Sequence, residues 1–431
     1  MLKFNVLRTV TGALVFSWIF FGEITSYFPF KQVAALPVPD SKTVPFAGRL
    51  NNELSDFPST AVIDSVFQVF FNKREIKGAS VSVTHNGHLI YAKGFGYADE
   101  ESGINAQPYH LFRIASISKL VTAVAIMKLK ETGRLDLNEN VFGEHGILND
   151  SMFLCYEDKD LESITVSHLL NHTAGWNHEI TDPVFRVLYI KTKEKIPGDV
   201  TLDDIISFVL CNDLDYKPGS HYSYSNFGYA VLGKIIEKKS GMDYEEFVNF
   251  EIMQPLGIYD MHIGHSFLED HLTNEVHYYD QEKTRFFQCF KGNGRIVPLQ
   301  YGTYDLEILG SAGGWVASSP ELIKLICAID GLSGLNDILS EESIKEMTTG
   351  VQESSHLYGW RGSDKDGTWW RTGTLTGSVG LVMRFGNGFN WVVLLNTSPK
   401  NRATIHNEIS RNIYEAMASV KQLPDIDLFR N

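Results

Sequence analysis

Three short motifs hold side chains whose types and spacing suit covalent chemistry. Ser116-Ile-Ser-Lys119 is the only S-x-x-K in the chain, and it opens an apolar-striped stretch with Leu120, Val121, Val124, Met127 and Leu129. On a helix, residues i and i+3 share a face with Cβ atoms about 5–6 Å apart, so an amine can reach a hydroxyl it must deprotonate. A free lysine ionises near 10.4, and making it neutral at pH 7 costs roughly 4–5 kcal/mol. Burial, nearby cations and the positive end of a helix supply that by disfavouring the ammonium form. Tyr224-Ser-Asn226, the only Y-x-N, follows the loop Pro218-Gly-Ser220 and precedes a helical stretch. A tyrosine beside an ammonium has its phenolate favoured and can relay a proton, and an asparagine two residues on can hold a substrate amide. Arg371-Thr-Gly373, followed by Thr374-Leu-Thr-Gly377, brings a cation, a hydroxyl and a glycine together ahead of a C-terminal hairpin. Such a set on an edge strand suits a carboxylate, with backbone free to approach the ligand. Lys239-Ser-Gly241 fits the same letters, but it ends a helix, where lysine then glycine is ordinary capping.

Each motif alone also reads as plain structure: a capping serine, an aromatic loop residue, a cation on a strand. Their joint order, each in a fitting setting, is much rarer by accident. With that order the sequence resembles the serine β-lactamase and penicillin-binding-protein superfamily, on the branch of class C enzymes, DD-peptidases and related esterases. The resemblance runs from about residue 75 to 415. It includes Ile164-Thr-Val-Ser-His-Leu-Leu-Asn-His-Thr-Ala-Gly-Trp176 and Gly310-Ser-Ala-Gly-Gly-Trp-Val-Ala-Ser318. Both stretches read as structural, with His168 and His172 packing and hydrogen bonding rather than binding a metal.

The resemblance implies roles residue by residue. Ser116 is the nucleophile, Lys119 its activating partner and Tyr224 the proton relay. Asn226 contacts the substrate amide, while Arg371, Thr372 and Gly373 face the substrate carboxylate. The backbone N–H groups of Ser116 and Thr374 form the oxyanion hole, a donor pair worth about 3–4 kcal/mol per member in other acyl-transfer enzymes. The superfamily usually has Lys or His where this chain has Arg371. Arginine keeps the charge but does not exchange protons near neutrality, so a charge-only role survives. The implied activity is that of a serine hydrolase, cleaving a small amide or ester through an acyl-enzyme. An esterase or acyltransferase using the same intermediate, and a sensor that acylates without turnover, are the alternatives. No cofactor or metal is implied, and the partner is a small molecule or short peptide. Other hydrolase layouts fit poorly. No serine has glycine at both −2 and +2, and the fourteen histidines include no H-E-x-x-H.

The elements that must position these residues read as α+β. Ala79–Thr84 alternates as a strand does, Asn86-Gly87 supplies a turn, and His88–Ala92 returns. Val379–Arg384 and Phe389–Leu395 flank Asn387-Gly388, expected as a second hairpin of the same type. Helical patterns lie between and after: 116–131, 166–170, 202–210, 227–239, 320–329 and 405–420. The expectation is an antiparallel sheet formed by N- and C-terminal strands with flanking helices, and a mostly helical region inserted. The sheet part covers about 61–130 and 300–420, the insertion about 131–299, and the whole hydrolase domain 61–431.

Composition sets the remaining bounds. The 431 residues carry 38 Lys+Arg against 52 Asp+Glu, a net charge of −14, which repels a phosphate backbone and excludes nucleic acid as a partner. Four widely spaced cysteines, Cys155, Cys211, Cys289 and Cys327, read as isolated buried thiols. Lys3 and Arg8 precede the uncharged Thr9–Gly22, short for a bilayer span but suited to an export signal, with Val33 and Ala35 before a cleavage point at Leu36. Residues 1–35 are thus a signal peptide or, uncut, an N-terminal anchor in the membrane. Residues 36–60, with four prolines, read as a linker. The protein is expected to be exported to the periplasm or cell envelope, secreted or anchored.

Overall fold

The computed structural model describes residues 46–178, 181–282, 285–349 and 357–430. The expected signal or anchor at 1–35 and the first part of the linker lie outside the described residues. From Phe46 onward the linker reading gives way to packing. Phe46, Ala47 and Leu50 are buried. The Asn52 amide donates to the Gly94 carbonyl at 3.1 Å and accepts from the Gly94 N–H at 2.8 Å. Ser55 pairs with both backbone groups of Ala92 at 2.9 Å. The prolines disfavour helix here, but buried side chains and these backbone bonds hold the segment on the folded body.

A seven-stranded antiparallel sheet carries the fold. Its strands are β1 (Gly78–His85), β2 (His88–Asp99), β3 (Ile104–Asn105), β4 (Gly362–Ser363), β5 (Trp369–Leu375), β6 (Ser378–Arg384) and β7 (Phe389–Leu395). In space the order is β4-β5-β6-β7-β1-β2-β3. The C-terminal β7 therefore lies beside the N-terminal β1, with Ala79 opposite Leu395 and Val83 opposite Trp391. This is the expected closure of one sheet by both ends of the domain.

Both faces of the sheet are covered, which explains the nearly continuous apolar run of β7. Trp391, Val393 and Leu395 face a layer made by α1 (Ala61–Lys73), through Ile63, Phe67 and Phe71, and by the C-terminal helix Ile405–Ser419. Val392 and Leu394 face the larger core on the other side. On β1 the small polar residues are buried too. Ser80 and Ser82 each meet the Ser319 hydroxyl at 2.7 Å, so their alternation marks two buried faces and not a wet one.

The two turns differ. Asn86 and Gly87 both adopt positive φ (49° and 78°), as a two-residue type I′ hairpin demands. In the second hairpin only Gly388 does (93°), and Phe385 N–H donates to Phe389 O at 2.8 Å across Gly386-Asn387-Gly388. That is a three-residue loop, not a second copy of the first turn.

The cysteine expectation also needs correcting. Cys155 and Cys211 form a disulfide with Cα atoms 5.7 Å apart, whereas Cys289 and Cys327 are buried thiols. The bond ties the loop after Phe153 to the end of the helix Leu202–Leu210, a proximity that spacing along the chain does not encode. Among the described residues no helix is long and apolar enough to cross a membrane. Closing a loop of 56 residues restricts the unfolded chain, so reduction, or the pair C155S/C211S, is expected to cost about 2–4 kcal/mol. Urea melts with and without reductant measure it, with C155S/C211S indifferent to reductant.

Candidate active site

The serine stands at a sharp corner. Ser116 lies in a short 3-10 turn, Ala115–Ile117, directly before α2 (Ser118–Glu131). Ala115 adopts φ 51°, a left-handed conformation costing roughly 1–2 kcal/mol for a residue with a Cβ. The corner is held from inside: the Ser118 hydroxyl donates to Ala115 O at 2.6 Å and accepts from Trp315 N–H at 3.3 Å. The expected apolar stripe on α2 proves broader, since every residue from Ser118 to Met127 is buried. A helix enclosed on all sides is a rigid base for what it displays.

Lys119 is fully buried. Its ammonium donates to Asn226 Oδ1 at 2.7 Å and to the Ala312 carbonyl at 2.6 Å. The group that meets Ser116 is Tyr224, whose hydroxyl lies 2.9 Å from Ser116 Oγ. The amine therefore stands beside Tyr224, 4.9 Å from its ring centre, while the phenol holds the serine. Ala312 belongs to the Gly310–Ser318 stretch read as purely structural, so that turn contributes directly to the site.

Tyr224 is positioned by the helix that begins beside it and by the side chains packed beneath it. Ser225 caps α3 (Asn226–Ser240), its hydroxyl accepting from Gly228 N–H at 2.9 Å. The buried Asp182 carboxylate accepts from Asn226 N–H at 2.5 Å and Phe227 N–H at 3.1 Å, a favourable place for a negative charge at a helix N-terminus. His172 supports the ring, 4.5 Å centre to centre, and its Nδ1 accepts from Ser225 N–H at 3.2 Å. His168 stays in its helix cap with Thr165. His172 thus packs and hydrogen-bonds as the sequence reading expects, whereas Asp182 is not legible in the sequence. A lone aspartate 42 residues before Tyr224 carries no local signal.

Arg371 differs from expectation in orientation. Its side chain is only 2% exposed. Nε donates to Ser116 O at 2.7 Å and Nη2 to the Tyr224 hydroxyl at 3.0 Å. The cation is turned inward, onto the Ser116 carbonyl and the phenol, because strand alternation points it at the corner. Thr372 and Thr374 alternate to the other side, where Thr374 Oγ1 lies 3.4 Å from His406 Nε2. Gly373 is needed for a close approach of a different kind: a Cβ there would stand 2.2 Å from Ile114 O. Its absence lets β5 lie against the corner. β4 pairs only with Trp370 and Trp369, so among the described residues no strand covers the outer edge of 371–375, in keeping with the edge expected there.

The electrostatics follow from this crowding. Burial, reinforced by Arg371, lowers Lys119 to about 8, although Tyr224 and Asp182 pull the other way. Burial alone would raise the Tyr224 phenol, but Lys119 and Arg371 outweigh it and bring it down to about 8. A hydroxyl, a phenol and an amine thus form a chain able to exchange protons near neutrality.

Known proteins show the same arrangement of chain. The family model described as Beta-lactamase matches residues 63–414. Protein flp of Staphylococcus aureus (strain MRSA252) is 30% identical over 211 residues, 48% of this chain and 38% of that protein, so the match spans under two fifths of its length. The putative penicillin-binding protein PbpX of Bacillus subtilis (strain 168) is 26% identical, over 78% of this chain and 74% of that one. The D-amino acid amidase of Ochrobactrum anthropi SV3, complexed with D-phenylalanine, superposes with a TM-score of 0.65 at 20% identity, covering 85% of this chain and all of the other. At that identity it speaks for the fold alone.

Removing the Asp182 carboxylate takes an acceptor from three backbone N–H groups, those of Val184, Asn226 and Phe227. Asp182→Ala is expected to lose about 1–3 kcal/mol in chemical denaturation, and Asp182→Asn, which keeps one acceptor, clearly less.

Proposed function

Because the chain belongs to the beta-lactamase family, we propose that it is a serine hydrolase acting on a small amide or ester through an acyl-enzyme on Ser116. The observation that carries this reading is the 2.9 Å contact between Ser116 Oγ and a phenol flanked by two cations. As phenolate, Tyr224 takes the Ser116 proton while Oγ bonds to the substrate carbonyl carbon. The charge then on the carbonyl oxygen goes to the N–H groups of Ser116 and Thr374. When the tetrahedral centre collapses, the bond to the amine or alcohol breaks, and Tyr224 returns its proton to the departing atom. Water repeats the cycle on the ester to Ser116 and releases the acid. An alcohol or amine in place of water makes the same site an acyltransferase.

Lys119 acts through Tyr224 in this scheme, holding the phenolate charge and exchanging its proton. With Asn226 Oδ1 engaged by Lys119, the amide nitrogen is the end that suits a substrate carbonyl. Amide cleavage of the peptidase or β-lactamase kind is only slightly favoured over ester cleavage or acyl transfer, and nitrocefin, a D-Ala-D-Ala peptide and p-nitrophenyl esters separate these. A location outside the cytoplasm, in the periplasm or cell envelope, is supported by the Cys155–Cys211 disulfide and by the apolar Thr9–Gly22 stretch behind Lys3 and Arg8.

A fluorophosphonate is expected to label Ser116, with labelling and turnover lost in Ser116→Ala and acylation slowed about 10²–10⁴-fold in Tyr224→Phe. Labelling that survives Ser116→Ala overturns the reading. Stoichiometric labelling without release of product favours the sensor. Acylation needs the deprotonated phenol, so its rate should rise with pH and level off above about 8, an apparent value belonging to the Lys119–Tyr224 pair. Arg371 lowers both groups. Its replacement in Arg371→Gln should therefore move the rising limb to more alkaline pH, read from acylation rates between pH 6 and 10.

A further inference from the structure

Away from the site, apolar side chains gather on an uncovered ribbon. The strands Phe286–Gln288 and Ile296–Pro298 pair antiparallel, Phe287 opposite Val297, and join no other strand among the described residues. Alternation puts Phe286 and Ile296 on one face and Phe287 and Val297 on the other. The first face is open: Phe286 is 63% and Ile296 61% exposed. The second borders a groove of about 1080 Å³ shared with the helix Val187–Glu194, where Phe287, Leu188 and Tyr189 supply apolar walls. Arg186, Lys191 and Lys195 line the same groove, and no Asp or Glu does. We propose that ribbon and groove form a docking surface for a bilayer that contains anionic phospholipid, with Phe286 and Ile296 seated among the headgroups and the three cations on their phosphates. The proposal stands whether or not Ser116 forms an acyl-enzyme.

Local packing makes the ribbon a firm projection. Leu299 N–H donates to Arg285 O at 3.1 Å and Cys289 N–H to Arg295 O at 2.8 Å, which extends the ladder past both strand ends. Val297 and Phe290 are buried, Phe290 stacked on Phe267 with ring centres 5.6 Å apart. At Gly292, φ 68°, a Cβ would stand 3.1 Å from Leu188 Cδ1, so the turn rests on the helix. Across the groove the Arg186 guanidinium lies 3.8 Å from the Tyr189 ring centre, and Lys191 donates to the Gly198 carbonyl. Among the described residues none of the three groove cations pairs with a carboxylate, whereas Lys291 and Arg295 nearby are taken by Asp199 and Glu269.

Charge and shape select the occupant. Apolar side chains scattered over a surface are ordinary, but an apolar face set beside unpaired cations is the pattern of peripheral membrane contact. With a net charge of −14 the chain as a whole is repelled by an anionic surface, and only a concentration of positive charge lets one face approach. A second copy docked about a twofold axis would set these same cations against one another.

The test places an environment-sensitive dye on the full chain at Phe286→Cys or, as a control on α1, at the exposed Val69→Cys. Cys289 and Cys327 are buried, which leaves the introduced thiol as the reactive one. Vesicles of phosphatidylcholine mixed with phosphatidylglycerol should shift the dye at 286 to the blue and leave the dye at 69 in water. Phosphatidylcholine alone should shift neither. In R186Q/K191Q/K195Q the lipid concentration giving half the shift should rise about a hundredfold. Ile296→Ser, on the open face, should raise it about tenfold with the charges untouched. Equal shifts at 286 and 69, equal shifts on both kinds of vesicle, or a triple variant that responds like the unaltered chain overturn the proposal. So does a shift already complete without lipid, which marks a segment of the chain lying on the ribbon, or one that grows with protein concentration alone, which marks a second copy.

Discussion

A phenol caught between an ammonium and a guanidinium is the constraint around which this molecule is organised. Taken out of water by itself, Tyr224 would hold its proton more tightly; flanked by Lys119 and Arg371 it gives the proton up near pH 8. The cations in turn need reasons to stay where they are. Lys119 has the Asn226 amide and the Ala312 carbonyl, and Arg371 has the Ser116 carbonyl and the phenol itself. The Tyr224 oxygen meets Ser116 and Arg371 directly, while Asn226 and Ala312 hold Lys119 beside the ring, and Asp182, beneath the α3 N-terminus, favours the Lys119 charge.

Such convergence is possible because backbone approaches backbone. Gly373 lets β5 lie against the corner that presents the serine, and Gly359 lets the strand-side segment lie on α2. Gly233 makes room for the Ser311 side chain, which stands where its Cβ would be. Each glycine removes a side chain at a place where two elements must touch. The buried, all-round packing of α2 gives those contacts something unyielding to press against.

Much of this is readable in the letters. Helix existence at 118–131, 166–170, 202–210, 226–240, 319–327 and 405–419 follows from apolar spacing, and the union of N- and C-terminal strands follows from where the hairpins fall. The order of Ser116, Lys119, Tyr224 and Asn226 announces a cluster, and they do cluster. The illegible part depends on direction and on distance through space. The same letters R-T-G serve an arginine that faces out or in, and only packing against Ala115–Ile117 decides for in. Phe67, Phe70 and Phe71 sit on a helix at 61–73, a stretch to which the sequence pattern assigns no element. The Cys155–Cys211 bond and the Asp182 clamp join residues far apart in sequence, where no periodicity operates.

The pairing of β1 with β7 has a temporal consequence. Residue 79 waits for residue 395, so the central ladder of the sheet closes only after most of the polypeptide has emerged. The corner bearing Ser116 leans on β5, which is itself made late, so the contacts that join Ser116, Tyr224 and Arg371 form only once the last strands of the sheet are in place.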